Sequence, residues 1–336
     1  MSATAGEGVH AAVDGAAKPR DDVRLGILFM VAATVMLALA GALAKWLVAT
    51  YPVGQVMAFR SASGLLVCAA FVLPGAGWRV FATRRPGAHV ARGLSQAASQ
   101  TFTVLALGLM PLAGATAISF SAPLWAALAA ALFLGERVGG ARWAALLVGF
   151  AGVAVVAAPG ADSVGVGALF ALANAVMYGS VTVAVRGMAR TESAATLLMW
   201  QATTMAAAHA LLLAFGFRWP TLADAGLLAL CGVVNAAGQY FWTKALQRAP
   251  ASAVSPFYYL MLVWALVIGY LAWGDMPTPA LVAGSTIVVG SGLFLLWREA
   301  GGRAARGGGL PARPVWTLLR RPGWPRPGQL RPVPGA

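Results

Sequence analysis

Stretches of apolar residues about 20 long recur along the chain, separated by short gaps that hold most of the Pro, Gly and charge. That is the length a helix needs to cross about 30 Å of hydrocarbon at about 1.5 Å per residue. The pattern predicts ten membrane helices, at about 25–48, 53–73, 89–109, 113–134, 142–158, 165–185, 194–215, 222–243, 251–273 and 279–297. Two of these stretches are copies of each other. ALGLMPLAGATAISFSAPLWAALAAALFLGE, from Ala106 to Glu136, returns as ALQRAPASAVSPFYYLMLVWALVIGYLAWGD at a constant offset of 139, so that Pro111 matches Pro250, Trp125 matches Trp264 and Glu136 matches Asp275. Each copy reads as a helix end, a Pro-marked turn, one long apolar helix and a Gly-acid stop.

A second register, offset by 141, aligns Gly26, Phe29, Met36 and Lys45 with Gly167, Phe170, Met177 and Arg186. The chain is therefore expected to be built twice: residues 25–158 as one five-helix unit and 165–297 as the other. An odd number of spans per unit places the second upside down relative to the first. That is the inverted-repeat plan of secondary transporters, in which the solute site lies near the midplane between the halves.

Composition agrees: 60% of the 336 residues are hydrophobic and only 10% are charged. Such a chain is an integral membrane protein. The net charge of +14 sits in the gaps and tails, which argues against nucleic acid as a partner. The N-terminal tail, the loops after spans 2, 4, 6 and 8, and the C-terminal tail hold 21 of the 24 Lys and Arg. By the positive-inside rule both termini are cytoplasmic. The tails at 1–24 and 298–336 have no apolar period and are expected to be disordered, the second of them basic. Cys68 and Cys231 lie apart in apolar stretches, and His10, His89 and His209 form no metal-binding motif, so no metal or cofactor is expected.

Polar residues inside spans need a partner or a purpose. Gln96 and Gln100 lie four apart in span 3, and Asn235 and Gln239 occupy the matching places in span 8. Amides of this kind either glue helices together or line a cavity. Spans 4 and 9 carry Thr116, Ser119 and Phe120 against Ser255, Tyr258 and Tyr259, a set suited to a ring with polar edges. Asn174 and Tyr178 add a pair in span 6 whose counterparts in span 1, Ala33 and Leu37, are apolar, so the halves are not equivalent. Arg60 inside span 2 and Lys45 near the end of span 1 are the two informative charges. If Arg60 faces the cavity, the site favours a carboxylate or another electron-rich group. With no Asp or Glu deep in any span, the usual buried-carboxylate proton relay is missing.

The ten spans in two inverted halves, the FRS segment of span 2, the RPGAHVARG entry to span 3 and the GFAGVAVV segment of span 5 resemble the EamA branch of the drug/metabolite transporter superfamily. The resemblance covers roughly residues 24–298. It implies an all-α integral membrane protein of the bacterial inner membrane that moves a small organic metabolite by alternating access, without ATP. The RPGAHVARG and ASAVSPFYYLMLVWALVIGY segments look most like uptake members for riboflavin or S-adenosylmethionine. The positive charges and the Tyr and Trp residues favour a flavin-like or amino-acid-type solute over a sulfonium cation, with export as the alternative direction. The expected partners are that solute and the lipid bilayer, with a homodimer left open. An intramembrane enzyme is disfavoured, because GxSxG, HExxH and P-loop motifs are all lacking; a non-transporting scaffold is the third reading.

Overall fold

A computed structural model describes residues 23–134, 140–157, 162–188, 192–249 and 251–305. Of the tails expected to be disordered at 1–24 and 298–336, residues 23–24 and 298–305 are instead helical, carried on from the first and last spans, and the rest, with Glu136, lie outside the described residues. What is described is helical, with no strand among those residues. In chain order the helices are α1 (Val23–Val48), α2 (Val53–Ala76), α3 (Pro86–Leu109), α4 (Leu112–Ser119), α5 (Ala122–Leu134) and α6 (Gly140–Val156). They continue as α7 (Asp162–Met188), α8 (Ala194–Leu211), α9 (Leu222–Arg248), α10 (Ala251–Tyr258), α11 (Leu260–Trp273) and α12 (Pro279–Ala305).

Five helical segments are long and apolar enough to cross a membrane, and four shorter apolar helical stretches accompany them. Their ends follow local rules. Ser193 and Thr221 cap α8 and α9 by accepting hydrogen bonds from the Thr196 and Asp224 amides, both at 3.1 Å. The Gly-acid stop of the second copy is a C-cap: Gly274 is left-handed at φ 68°, which folds the Asp275 amide back to the Gly269 carbonyl at 3.2 Å.

The structure corrects the two long apolar helices expected at 113–134 and 251–273. Each is broken, the first at Phe120 and Ser121, the second at Tyr259. In the first, the Ser121 hydroxyl and amide both turn back to the Ile118 carbonyl, at 2.7 and 2.9 Å, and Pro123 in the next turn has no N–H to continue the ladder. In the second, Pro256 removes a ladder bond within α10, and the Tyr259 amide bonds the Pro256 carbonyl in a tightened turn at 3.3 Å. Phe120 and Tyr259 are themselves related by the 139 offset.

Helix α9 runs along α1, and α3 runs along α7. Helix α2 packs on α8 and α9, α3 packs also on α8, and α12 pairs with α6. Glycine permits two of these approaches: a Cβ at Gly232 of α9 would strike the Arg60 carbonyl of α2, and one at Gly93 of α3 would sit 2.5 Å from the Thr204 Cβ of α8. The main core gathers Leu47, Val56, Leu107, Leu112, Ile118 and Leu228. It lies toward one end of the bundle, where α1, α3 and α8 finish and α2, α4 and α9 begin.

That end carries a set of polar links. Tyr51 donates to the Asp224 carboxylate at 2.7 Å, and the Gln55 side chain exchanges two hydrogen bonds with the Arg218 backbone, at 2.7 and 2.8 Å. Lys45 caps the end of α3 by donating to the carbonyls of Met110 at 2.7 Å and Leu107 at 3.3 Å, with the Trp273 ring 5.4 Å away. At the opposite end, Thr83 donates to Glu192 at 2.7 Å and His89 lies 3.6 Å from the same carboxylate.

Candidate functional site

The two helix breaks meet. The Phe120 ring lies 5.0 Å from that of Tyr259, edge to face, and 5.7 Å from that of Tyr258. One residue back along α4, the Ser119 hydroxyl accepts from the Asn174 amide of α7 at 3.1 Å, and the Asn174 carbonyl accepts from Ser99 of α3 at 2.6 Å. Tyr178 follows Asn174 by one turn on α7, is 41% exposed, and lies within electrostatic reach of Tyr258. A polar corner on α3, α4 and α7 therefore faces an aromatic wall from α10 and the α10–α11 break. Broken helices free backbone groups at mid-span, which is tolerated where the chain lines a polar space.

Of the four striped amides, only Asn235 has a protein partner among the described residues: it accepts from the Arg60 guanidinium at 2.6 Å. Gln96 is 7% exposed, yet the side chains of Gln96, Gln100 and Gln239 bond no protein group among the described residues. Asn235 thus joins two helices, while the other three amides are free to hydrogen-bond something else. On α9, Leu228 and Cys231 are fully buried and Gln239 is exposed, while Gly238 beside it and Ala245 beyond it are buried.

Arg60 is 9% exposed, and among the described residues no carboxylate pairs with it. A buried cation without a counter-ion is costly unless something completes its shell. Lys45 is not beside these groups; it is committed to the Met110 end of the bundle.

The structure also assembles residues that sequence reasoning passed over. His209, on α8 and 1% exposed, places Nδ1 2.6 Å from the Ser61 hydroxyl and Nε2 3.1 Å from the Ala97 carbonyl, with Thr101 at 3.3 Å. Ser61 follows Arg60 on α2, so adjacent residues of one helix hold the imidazole, in the seam of α2, α3 and α8, and the guanidinium, which turns to Asn235 of α9. Arg92, counted with the adjacent loop for charge though inside span 3, lies in α3 and donates to the Leu197 carbonyl at 3.1 Å and, through a short contact, to Gln201. Gln201 is the 141-offset counterpart of Arg60. The α2–α9 and α3–α8 seams thus each hold an arginine–amide pair, with the arginine on α2 in one and on α3 in the other. A histidine inside a predicted span was the one signal in the sequence for the His209 cluster. Ser99 had none.

A family model, the EamA-like transporter family, matches residues 24–158 and 165–297. A riboflavin transporter of Rhizobium johnstonii is 31% identical over 283 residues, covering 82% of this chain and 92% of its own. An S-adenosylmethionine uptake transporter of Rickettsia bellii is 28% identical over 217 residues, covering 65% of this chain and 75% of its own. The pseudopaline exporter CntI of Pseudomonas aeruginosa is 30% identical over 278 residues, covering 80% and 95%. A solved crystal structure, 26% identical, superposes with a TM-score of 0.57 over 83% of this chain and 99% of the other.

Proposed function

The chain belongs to the EamA-like transporter family, and from that premise we propose that it is a secondary transporter carrying a small organic solute through a central site between two inverted five-span halves. The observation that carries the reading is the meeting of the two helix breaks: Phe120 and Tyr259, one at each 139-offset position, touch beside the Asn174 cluster. Ten crossings follow if α4 with α5, and α10 with α11, each count as one. The basic gaps then put both termini in the cytoplasm of a bacterium and the Asp224 end on the outer face.

Within this frame the Tyr51, Gln55 and Lys45 links seal the outer face, and the open path to Gln96, Gln100 and Gln239 leads to the cytoplasm. The solute has an aromatic ring for Phe120, Tyr258 and Tyr259. Its polar edges suit Gln96, Asn174 and Asn235, and an electron-rich or anionic group suits Arg60. A flavin or an aromatic amino-acid-type solute fits these demands better than a sulfonium cation, which the buried guanidinium would repel. Relatives include an uptake transporter and an exporter, and uptake is the direction we favour.

The test is counterflow of radiolabelled riboflavin, S-adenosylmethionine and tryptophan in proteoliposomes, with Gln96→Ala beside the wild type. Saturable riboflavin exchange is expected. Gln96→Ala is expected to weaken it roughly tenfold, since a lost buried hydrogen bond to a bound solute costs about 1–2 kcal/mol. Exchange of S-adenosylmethionine alone would overturn the solute class, and undiminished exchange in Gln96→Ala would remove the amide from the site.

A further inference from the structure

We propose that His209 is a proton-carrying site that couples solute movement to the proton gradient, and that Arg60 is the group through which it senses the solute. The inference rests on the transporter reading above and adds the energy source.

Among the described residues no Asp or Glu lies in the middle of a helix, so a carboxylate relay has no members. His209 is the one imidazole held within the bundle near Arg60, and imidazole is the side chain that ordinarily gains or loses a proton in the physiological range. Its hydrogen bonds define the resting form. Nε2 faces the Ala97 carbonyl, which can only accept, so Nε2 carries the hydrogen; Nδ1 then accepts from the Ser61 hydroxyl at 2.6 Å. The neutral imidazole is thus fully satisfied, with its one vacant proton position turned to a hydroxyl that can reverse.

Loading the proton is a balanced step. A proton from the aqueous phase forms the Nδ1–H bond, the Ser61 oxygen changes from donor to acceptor, and its hydrogen swings away to a backbone carbonyl one turn back. The charges that oppose it are carried by the helices that hold the imidazole. Helix α2 contributes Arg60, and α3 contributes Thr101 and, toward the Glu192 end, Arg92; the turn at Trp78–Phe81 brings Arg79 beyond that. No carboxylate from α2, α3 or α8 faces the imidazole among the described residues. A proton on His209 therefore adds positive charge beside the unpaired Arg60 guanidinium, which resists it. An anionic solute group that pairs with Arg60 removes that resistance. Solute anion and proton each favour the binding of the other, and the linkage is reciprocal. Such a pair moves together, as symport. A monoanion with one proton carries no net charge, so the movement is insensitive to membrane voltage.

The test uses the full chain in proteoliposomes with two probes: riboflavin, which is neutral, and 10-carboxymethylflavin, the same ring with one carboxylate. Counterflow at equal pH on both sides reports transport alone, and both flavins are expected to exchange. An acid-outside gradient of about one pH unit is expected to concentrate carboxymethylflavin about tenfold, with no response to a valinomycin-set potential, and to leave riboflavin unconcentrated. In His209→Gln, counterflow is expected to persist while gradient-driven accumulation disappears. Ser61→Ala, which keeps the imidazole and removes its Nδ1 partner, is expected to reduce accumulation, and it serves if His209→Gln does not fold.

Equal accumulation in wild type and His209→Gln overturns the coupling and leaves the transporter standing, as does a failure to concentrate the anion at all. Exchange of riboflavin without the anion also overturns it. Absence of counterflow for both flavins overturns the transport of this solute class, and the coupling falls with it.

Discussion

Helices α4 and α10 are the same pattern used twice, 139 residues apart, in different surroundings. Residues 112–118 of α4 are all buried. In α10, Val254 is buried, Ala253, Phe257 and Tyr258 are half-buried, and Pro256 is exposed. Helix α4 packs on α11 and α12, whereas α10 packs mainly on α1. A repeated sequence cannot by itself prefer one end of the bundle, so the difference belongs to the conformation. The Asp224 end is closed by the Tyr51, Gln55 and Lys45 links, and the proposed reading takes its counterpart as the end that opens.

The most direct way to break this comparison is to give both helices the same reporter. Ala117 and Pro256 are 139-offset partners, 1% exposed and exposed respectively. In a background with Cys68 and Cys231 replaced by Ala, Pro256→Cys is expected to react with a polar maleimide at least about tenfold faster than Ala117→Cys, as a difference of about 1.4 kcal/mol in accessibility would give. Equal rates in detergent-solubilised protein would mean that the two ends open alike. A bound flavin that slows Pro256→Cys without affecting Ala117→Cys would sharpen the contrast, placing the solute on the open path.

The two glycine-mediated seams permit a second comparison. Gly232→Ala drives a methyl group into the Arg60 carbonyl, a backbone atom that cannot rotate away, while Gly93→Ala meets the Thr204 side chain. Overpacking costs about 1–3 kcal/mol. The upper end is expected for Gly232→Ala and the lower for Gly93→Ala, read as loss of thermal stability in detergent. The reverse order would mean that α9 can slide on α2 more freely than α3 on α8.

These contrasts also show how far the sequence could be followed. Apolar periodicity and the two offsets located the helices, because span length and repeated turn chemistry are local properties. They did not reveal the breaks. Phe120 and Tyr259 lie in stretches apolar on both sides, and the prolines beside them, Pro123 and Pro256, fall at unmatched positions, so the repeat concealed rather than signalled them. Gln96 and Asn235 stood out because amides are rare in spans. Ser99, Ser61 and His209 did not, since their meaning lies in partners on other helices: Asn174 is 75 residues from Ser99, and His209 is 148 from Ser61. The exchange of arginine between α2 and α3 was likewise hidden, because Arg92 counts with the adjacent loop's charges until α8 is seen beside it.

The smallest expected effect concerns the seal itself. Tyr51→Phe removes the 2.7 Å bond to Asp224 and leaves that carboxylate with the Thr221 hydroxyl at 2.9 Å, so closure is weakened rather than lost. Labelling of Ala117→Cys is expected to rise roughly twofold, a fraction of a typical hydrogen bond in an exposed setting. The sign of the pH dependence is fixed by the same contact. Donation to the Asp224 carboxylate raises the Tyr51 phenol above its ordinary value of 10.0. The link therefore contributes fully from above the ordinary carboxylate range, where Asp224 is ionised, up to pH 10, and fades as pH rises through the raised value, where the phenolate faces a second anion. Labelling of wild-type-like Ala117→Cys, corrected for maleimide chemistry with a free thiol, is expected to climb toward the Tyr51→Phe level in that alkaline window, while the Tyr51→Phe protein shows no such climb. If both climb together, the seal at this end is held by Gln55 and Lys45, and Tyr51 is a bystander.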